Sequence, residues 1–496
     1  MQKKLPFEQF PITVAQANSP EGYAGLYAFH KYWGKKPHET IAYVIEQLTH
    51  PGEIVVDPFV GSGSAAREAV RRGRRFVGFD ISPVAVELAR FITNPAEPEL
   101  VFDALRFIEA EVKDSINQTY VLNDGETATH YLWNAERLTQ VWVKGNAGKS
   151  RRELQPTRHD LALIESFLGY RSRFIRCPRF FSNGRINAAP EMTLDSLLTP
   201  RAQRNIDLLI DAIGRCPKAA RVPMRLCLTA ASGQMTRMVF AVTGRGKTKN
   251  ETSEKVEVGS WVIGYWRPRL HFEVNVWNCF ENRTRKLLNA LRKQDAKAMP
   301  TEARTPRSVL QGKADYFIGV ADCRRGLRGL SGDSVSLIIT DPPHSDRVPY
   351  LELSEFWNSL LGETAAFEDE IVISNAKERG KDQSAYDSAM REFFRDAARV
   401  LSDDGHLIVL FNGRERDAWA AIRECAATDN GNSLSFIGCF PCAYSAHSVI
   451  QDNRKGAMKS DWALVFSRNN STRALNGLKD MAGWNASVPE LMAGDK

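Results

Sequence analysis

The alternation of apolar and polar positions gives the first sign of organisation. In "EIVVDPFVGSGSAAREAVRRG", Glu53 to Val56 is a short β-branched, apolar run, which predicts a buried strand. Pro58 to Gly63 has turn chemistry with two glycines, and Ser64 to Arg72 has helical character that Gly73 ends. "RRFVGFDIS" predicts a second short strand closing at Asp80, and "PVAVELARFI" a helix with Pro83 in its first turn. Strand, helix, strand, helix opens an α/β, doubly wound parallel sheet.

The alternation stops near Asn94 and resumes at Tyr316. In between lie aromatic clusters such as "GSWVIGYWRP" and "HFEVNVWNCF", many arginines, and "TGRGKTKNETSEK", which predicts an exposed loop or hairpin tip. Beyond it, "DYFIGVADC" predicts a strand ending near Asp322 and "SVSLIITDPP" another ending at Asp341. "SAYDSAMREFFRDAARVL" predicts an amphipathic helix, "DDGHLIVLF" the next strand, and "LSFIGCFPCAY" with "SDWALVFSR" a closing pair. One sheet is therefore expected in two pieces, 1–93 and 314–468, separated by an insert, 94–313, with a loosely held polar tail at 469–496.

Charge sharpens this division. The net charge of the 496 residues is only +7, yet Arg151 to Leu310 holds 29 Lys/Arg against 14 Asp/Glu, which leaves the rest of the chain at −8. A basic segment in an acidic frame suggests a polyanion partner; a solvated, arginine-rich surface is the plainer alternative. No apolar run is long enough for a membrane span, and "MQKKLPFEQFPITVAQ" lacks a secretory apolar core, so a cytoplasmic chain with reduced thiols is expected. Of eight cysteines only Cys439 and Cys442 form a CxxC, more in keeping with two core thiols than with a zinc clip, and no metal is expected.

Three acids fall at the ends of three predicted strands: Asp57, Asp80 and Asp322. Ligands of parallel sheets sit outside the carboxyl ends of the strands. The turn "DPFVGSGS" is neither GxGxxG nor a phosphate loop, and a carboxylate there suits a cationic ligand, such as the amino group of a bound amino acid. Asp80 stands where an acid bonds ribose hydroxyls, and Asp322 could accept from an adenine amine. Each acid alone could equally be a helix cap or turn residue. The stretch "IITDPPH" ends a strand with two prolines, which fix φ and hold nearby acceptors rigid.

In "DPFVGSGS" and "TDPPH" the chain resembles the S-adenosylmethionine-dependent amino-methyltransferases of DNA, which modify adenine N6 or cytosine N4. "HKYWGKKPHE" is similar to the segment preceding the cofactor turn in some of these enzymes, and "VPYLELSEFW" to the segment after the catalytic motif in a bacterial subgroup. The resemblance covers about residues 22–93 and 314–468. It implies a Rossmann-like, doubly wound, seven-stranded methyltransferase sheet interrupted by a large basic α+β insert. Its cofactor residues fall on Lys31, Tyr32, Trp33, Asp57, Phe59, Gly61, Gly63, Asp80 and Asp322, with the Lys31 to Trp33 segment along the methionine end unless it is merely a cationic surface loop. Its catalytic residues fall on Asp341, Pro342, Pro343 and His344.

The implied chemistry is simple. The amine of a base is a weak nucleophile because its lone pair is delocalised into the ring. Asp341 would accept one amine hydrogen and the Pro342 carbonyl the other, aiming the lone pair at the sulfonium methyl. His344 would stack on the flipped base, where the family usually has an aromatic residue. Two features depart from the family: the histidine, and an insert placed after the second strand rather than between the third strand and the catalytic motif.

The resemblance implies double-stranded DNA as substrate, with base flipping, no membrane, and restriction or phage-defence proteins as partners. The insert would recognise the target, or else form a structural or partner-binding lid. The competing functions are a cytosine N4 enzyme, an RNA methyltransferase of the tRNA guanine-N2 type, and a non-catalytic nucleic-acid-binding relic. Against the RNA enzymes, only about 50 residues precede Asp57, too few for their RNA-binding domain.

Overall fold

A computed structural model describes residues 11–145, 151–244, 255–261, 264–294, 299–345, 348–412, 419–420, 422–424, 434–443, 460–468 and 475–485. In chain order the strands are β1 (Ile54–Asp57), β2 (Arg75–Asp80), β3 (Ala128–Asn134), β4 (Arg137–Lys144), β5 (Arg151–Leu154), β6 (Val239–Val242), β7 (Glu257–Val258), β8 (Leu270–Val274), β9 (Tyr316–Val320), β10 (Val335–Thr340), β11 (Leu401–Phe411), β12 (Leu434–Ala443) and β13 (Ser460–Arg468). They form a mixed α/β molecule with two sheets.

The first is a seven-stranded sheet in the order β12-β13-β11-β10-β1-β2-β9. β1 pairs in parallel with β2 and with β10, β10 in parallel with β11, and β2 in parallel with β9. Only β13 runs against both of its neighbours. All four residues of β1 are buried, because the strand has a neighbour on each side and apolar cover on both faces. Val56 stands opposite Val77 on one side and Ile338 on the other. The chain moves outward from β1 through β2 to β9, then returns to lay β10 on the other flank of β1. The strand order therefore reverses between β1 and β10, the point in such a sheet outside whose carboxyl ends ligands bind.

The second sheet, β5-β4-β3-β8-β6-β7, is built wholly from residues 128–274. It does not sit apart as a separate bead. Leu88 and Phe91 of the helix Pro83–Thr93 and Phe356 and Trp357 of the helix Tyr350–Leu361 share one apolar cluster with Ile108, Leu226 and Trp277. This shared cluster packs residues 101–291 against the helices beside the first sheet.

Cys439 and Cys442 are both buried on β12 but belong to different apolar clusters, on opposite faces of the sheet. A spacing of three along a strand puts two side chains on opposite faces, so they cannot grip one ion. The tail, expected to be loose, is not loosely held at 475–485, because Leu475, Leu478 and Met481 are buried and the Asn485 amide donates to the Cys439 carbonyl at 2.9 Å. Apolar residues three apart on a short helical turn gave this segment something to bury. The tip expected in "TGRGKTKNETSEK" lies mostly outside the described residues.

Candidate active site

The turn after β1 is held by its own polar atoms. The Phe59 amide donates to Asp57 Oδ1 at 3.0 Å, and the Gly61 amide donates to Asp80 Oδ2 at 2.8 Å. Asp80 Oδ1 accepts from the Ser82 amide at 2.9 Å, so one carboxylate ties the two βα turns together. Gly63, at φ +82°, precedes the helix Ser64–Arg71; a Cβ there would lie 2.6 Å from the Ala89 Cα. Gly63 thus lets the two helices pack closely.

The turn after β10 meets it from the other flank. Thr340 Oγ1 donates to Asp57 Oδ1 at 2.7 Å. Asp341 follows, with its carboxylate held at both oxygens. His344 Nε2 lies 2.8 Å from Oδ1 and 3.2 Å from the Leu410 carbonyl, and Lys36 Nζ lies 3.0 Å from Oδ2. A carbonyl can only accept, so a proton on His344 Nε2 serves both contacts. The Pro343 carbonyl accepts from Tyr386 Oη at 2.7 Å and from the Ser345 amide at 3.0 Å.

The segment "HKYWGKKPHE" forms a third wall. Trp33 stacks on Trp357 with centroids 4.5 Å apart and planes at 24°. Tyr32 and Tyr350 face each other at 6.4 Å and 27°. Gly34, at φ +70°, passes close under Tyr350: a Cβ would come within 2.8 Å of its Oη, so the tyrosine would have to shift. Lys35 Nζ donates to the carbonyls of Tyr27 and His30, and burial, with Arg283 adding to it, pushes its pKa down to about 7.

These walls enclose a cavity of about 910 Å³, mouth included. Tyr32, Trp33, Asp57, Phe59, Gly61, Asp80, Asp322, Asp341 and Pro343 all line it. So do Lys36, Thr340, Tyr350 and Glu370, which sequence reasoning had not assigned. Lys36 and Tyr350 stand inside the two flanking stretches that resemble the family; Thr340 and Glu370 carry no signal of their own. Four expected residues do not line the cavity. Gly63 and Pro342 are outside the lining, and the Lys31 ammonium sits 4.2 Å over the Trp261 ring instead. His344 is buried, tilted against Phe411 at 4.9 Å, and bonded to Asp341 from behind.

The cavity favours cations yet strains its own acids. Burial pushes Asp57 up to about 7, against the Thr340 and Phe59 hydrogen bonds, and pushes Asp80 up to about 6, against its backbone amides. Asp322 behaves differently. Burial raises it, but the Arg324 guanidinium and two amides at the start of the helix Cys323–Arg328 outweigh this and hold it below the usual range. Asp322 is thus both a helix cap and a cavity wall. No cluster of metal-ligating side chains occurs among the described residues, and none of their helices is long and apolar enough to cross a membrane.

Comparison with known proteins points the same way over one part of the chain. Residues 7–91 match the model of a family described as DNA methylase. The match takes in the Lys31 to Lys36 segment, the Asp57 turn and Asp80, and leaves Asp322 and Asp341 outside it. The chain is 42% identical over 57 residues to a protein named as a methylase, YubD of Escherichia coli, covering 10% of this chain and 25% of that protein. It is 39% identical over 64 residues to the type II methyltransferase M2.DpnII of Streptococcus pneumoniae, covering 12% and 24%. It is 37% identical over 62 residues to the type II methyltransferase M1.MboII of Moraxella bovis, again covering 12% and 24%. The chain spans about a quarter of the length of these relatives.

Proposed function

We propose that the chain is an S-adenosylmethionine-dependent methyltransferase acting on an exocyclic amine of a base in double-stranded DNA, adenine N6 foremost, in a restriction or phage-defence setting. The observation that carries this reading is one cavity, at the point where strand order reverses, lined by both Asp57 and Asp341. The cofactor half is supported by the DNA methylase match and by the type II methyltransferase relatives. The sheet, on this reading, is the doubly wound, Rossmann-like methyltransferase type.

The residues present fit the cofactor. Asp57 and Asp80 are carboxylates whose pKa values burial raises, so a cation seated beside them would favour their ionised forms. Asp57, Phe59 and Gly61 would hold the amino-acid end, Asp80 the ribose hydroxyls and Asp322 the adenine side, with Tyr32 and Trp33 closing over it. Pro343 lines the cavity beside Asp341, while Lys31 and Gly63 stand outside it. When bound, the cofactor supplies a methyl group on a sulfonium, the electrophile of the reaction.

The chain's own residues do the rest. The Asp341 carboxylate and the Pro342 carbonyl accept the two amine hydrogens and localise the lone pair, and Asp341 takes the proton released on transfer. Tyr32 and Tyr350 offer the aromatic faces for the flipped ring, since His344 is turned inward. The insert exposes Arg158, Arg171, Arg173, Arg185 and Arg221, which suit a phosphate backbone.

The test is transfer of tritiated methyl groups from S-adenosylmethionine to DNA lacking methylation, with RNA in a parallel reaction. Single-molecule sequencing of the product then reports the modified base and its context. Label on adenine N6 is the expected result. Label on cytosine N4, or on RNA alone, selects a competing enzyme, and label on nothing leaves a nucleic-acid-binding relic.

A further inference from the structure

Resting on that reading, we infer that Lys36, braced by Asp461, is a positioning residue for methyl transfer: it holds the Asp341 carboxylate from the side opposite His344 and fixes the lone pairs offered to the target amine. Lys36 Nζ lies 3.0 Å from Asp341 Oδ2 and 2.5 Å from Asp461 Oδ2. The lysine side chain is 7% exposed and Asp461 1%, while Asp341 keeps 18% toward the cavity. The contact between Lys36 and Asp461 spans 425 positions and joins the cofactor-lining segment to β13.

The arrangement has more parts than charge balance needs. One ammonium and one carboxylate would already neutralise each other in the core. Here one ammonium serves two carboxylates, and the second of them stands at the reacting rim. Each carboxylate oxygen has two lone pairs. With His344 on Oδ1 and Lys36 on Oδ2, each oxygen retains one, and the carboxylate plane cannot turn. Asp461 matters because it shares the lysine charge. A lysine paired with Asp341 alone would cancel the charge that the amine hydrogens must meet. Shared with Asp461, it anchors Asp341 while dividing its charge between two carboxylates.

The experiment measures kcat and KM for DNA lacking methylation, and the Kd for S-adenosylmethionine, on the full chain and four variants: Lys36→Met, Lys36→Arg, Asp461→Asn and Lys36→Met/Asp461→Asn. Circular dichroism monitors folding. Lys36→Met is expected to lower kcat by about 100-fold, the order that a misplaced reacting group costs, with KM and Kd changed less than about threefold. Lys36→Arg, which keeps the charge, is expected to recover at least about tenfold of that loss. Asp461→Asn is expected to lower kcat by about tenfold with KM unchanged, as the lysine loses one of the two carboxylates that share it and leans more on Asp341. The double variant removes the buried pair as a unit, strands no lone carboxylate beside β13, and is expected to fold and to show the Lys36→Met loss. Wild-type kcat in a folded Lys36→Met or double variant overturns the inference. So does an arginine variant no better than methionine with cofactor affinity lost in both, since the lysine would then only support the fold. Wild-type protein that transfers no label to any nucleic acid overturns the transfer reading itself, and the inference with it.

Discussion

The hydroxyl of Thr340 donates to Asp57 Oδ1 at 2.7 Å, across 283 positions of sequence. This bond joins the carboxyl ends of β1 and β10 at the point where strand order reverses. It also restrains Asp57, whose burial pushes its pKa up to about 7 while Thr340 and the Phe59 amide pull it down. Thr340→Val keeps the shape and deletes one donor. Loss of about 1–2 kcal/mol of stability is expected, because a buried acceptor loses a partner. The Asp57 pKa should rise further. Thermal melting reads the first effect and the pH dependence of cofactor affinity the second.

That pH dependence has a definite sign. In the folded chain Asp57 and Asp80 hold their protons up to about 7 and about 6, well above ordinary aspartates. A cationic ligand favours the ionised forms, so S-adenosylmethionine should release protons on binding. Its affinity should weaken by up to about tenfold per pH unit as pH falls through this window. Without ligand, the folded state binds more protons than the unfolded chain between about pH 4 and 7, so these two groups make stability fall as pH rises there. Calorimetry in buffers of different ionisation enthalpy measures the proton release; none at about pH 6.5, between the two shifted values, would remove both acids from the cation site.

Asp80 holds the Gly61 and Ser82 amides, so it shapes both turns as well as facing the ligand. Asp80→Ala should raise the Kd for S-adenosylmethionine by about 10–100-fold, the worth of one or two hydrogen bonds to a charged group. Unchanged affinity by titration calorimetry would take the ribose role away from it.

Asp341 stands on the other side of the same cavity and should separate cleanly from Asp80. Asp341→Ala is expected to cut methyl transfer by about 1,000-fold, as loss of a preorganised acceptor does, with cofactor affinity within a few-fold of wild type. A variant that loses cofactor binding as well would mean that the two halves of the site have been misassigned.

Gly63 tests the fold beneath the site. Its φ of +82° and the Ala89 Cα at 2.6 Å from a built Cβ leave neither the conformation nor the space for a side chain. Gly63→Val should cost about 2–4 kcal/mol, from left-handed backbone strain plus overpacking. A melting temperature equal to wild type would show that the two helices can part freely.

Legibility followed the range of the forces involved. The placement of Asp57, Gly61 and Asp80 at strand ends and in the first turn could be read because a strand, a tight turn and a helix are encoded by neighbours a few residues apart. Asp341 was readable for the same reason, from a strand followed by two prolines. The direction of His344 was not: its ring faces Phe411 and the Leu410 carbonyl, both from a strand laid down more than sixty positions later. Nor could local sequence distinguish Lys31, drawn to Trp261 of the insert, from Lys36, drawn to Asp341 and Asp461. The packed turn at Leu475 to Met481 was hidden by a polar surrounding sequence whose few apolar residues find their cover only on the assembled sheet.

The sequence by itself determined the local chemistry of each turn: acids at strand ends, glycines where backbone bends, prolines that lock φ. Periodicity also let strands before Asn94 and after Lys313 be expected in one sheet, and β1 and β2 do share a sheet with β9 to β13. Only the tertiary structure decided which side chains share the cavity, which cation steadies which carboxylate, and which aromatic rings remain facing inward. Those outcomes depend on contacts between segments hundreds of residues apart. Burial then decides the charge state of the acids, and no single stretch of sequence encodes that.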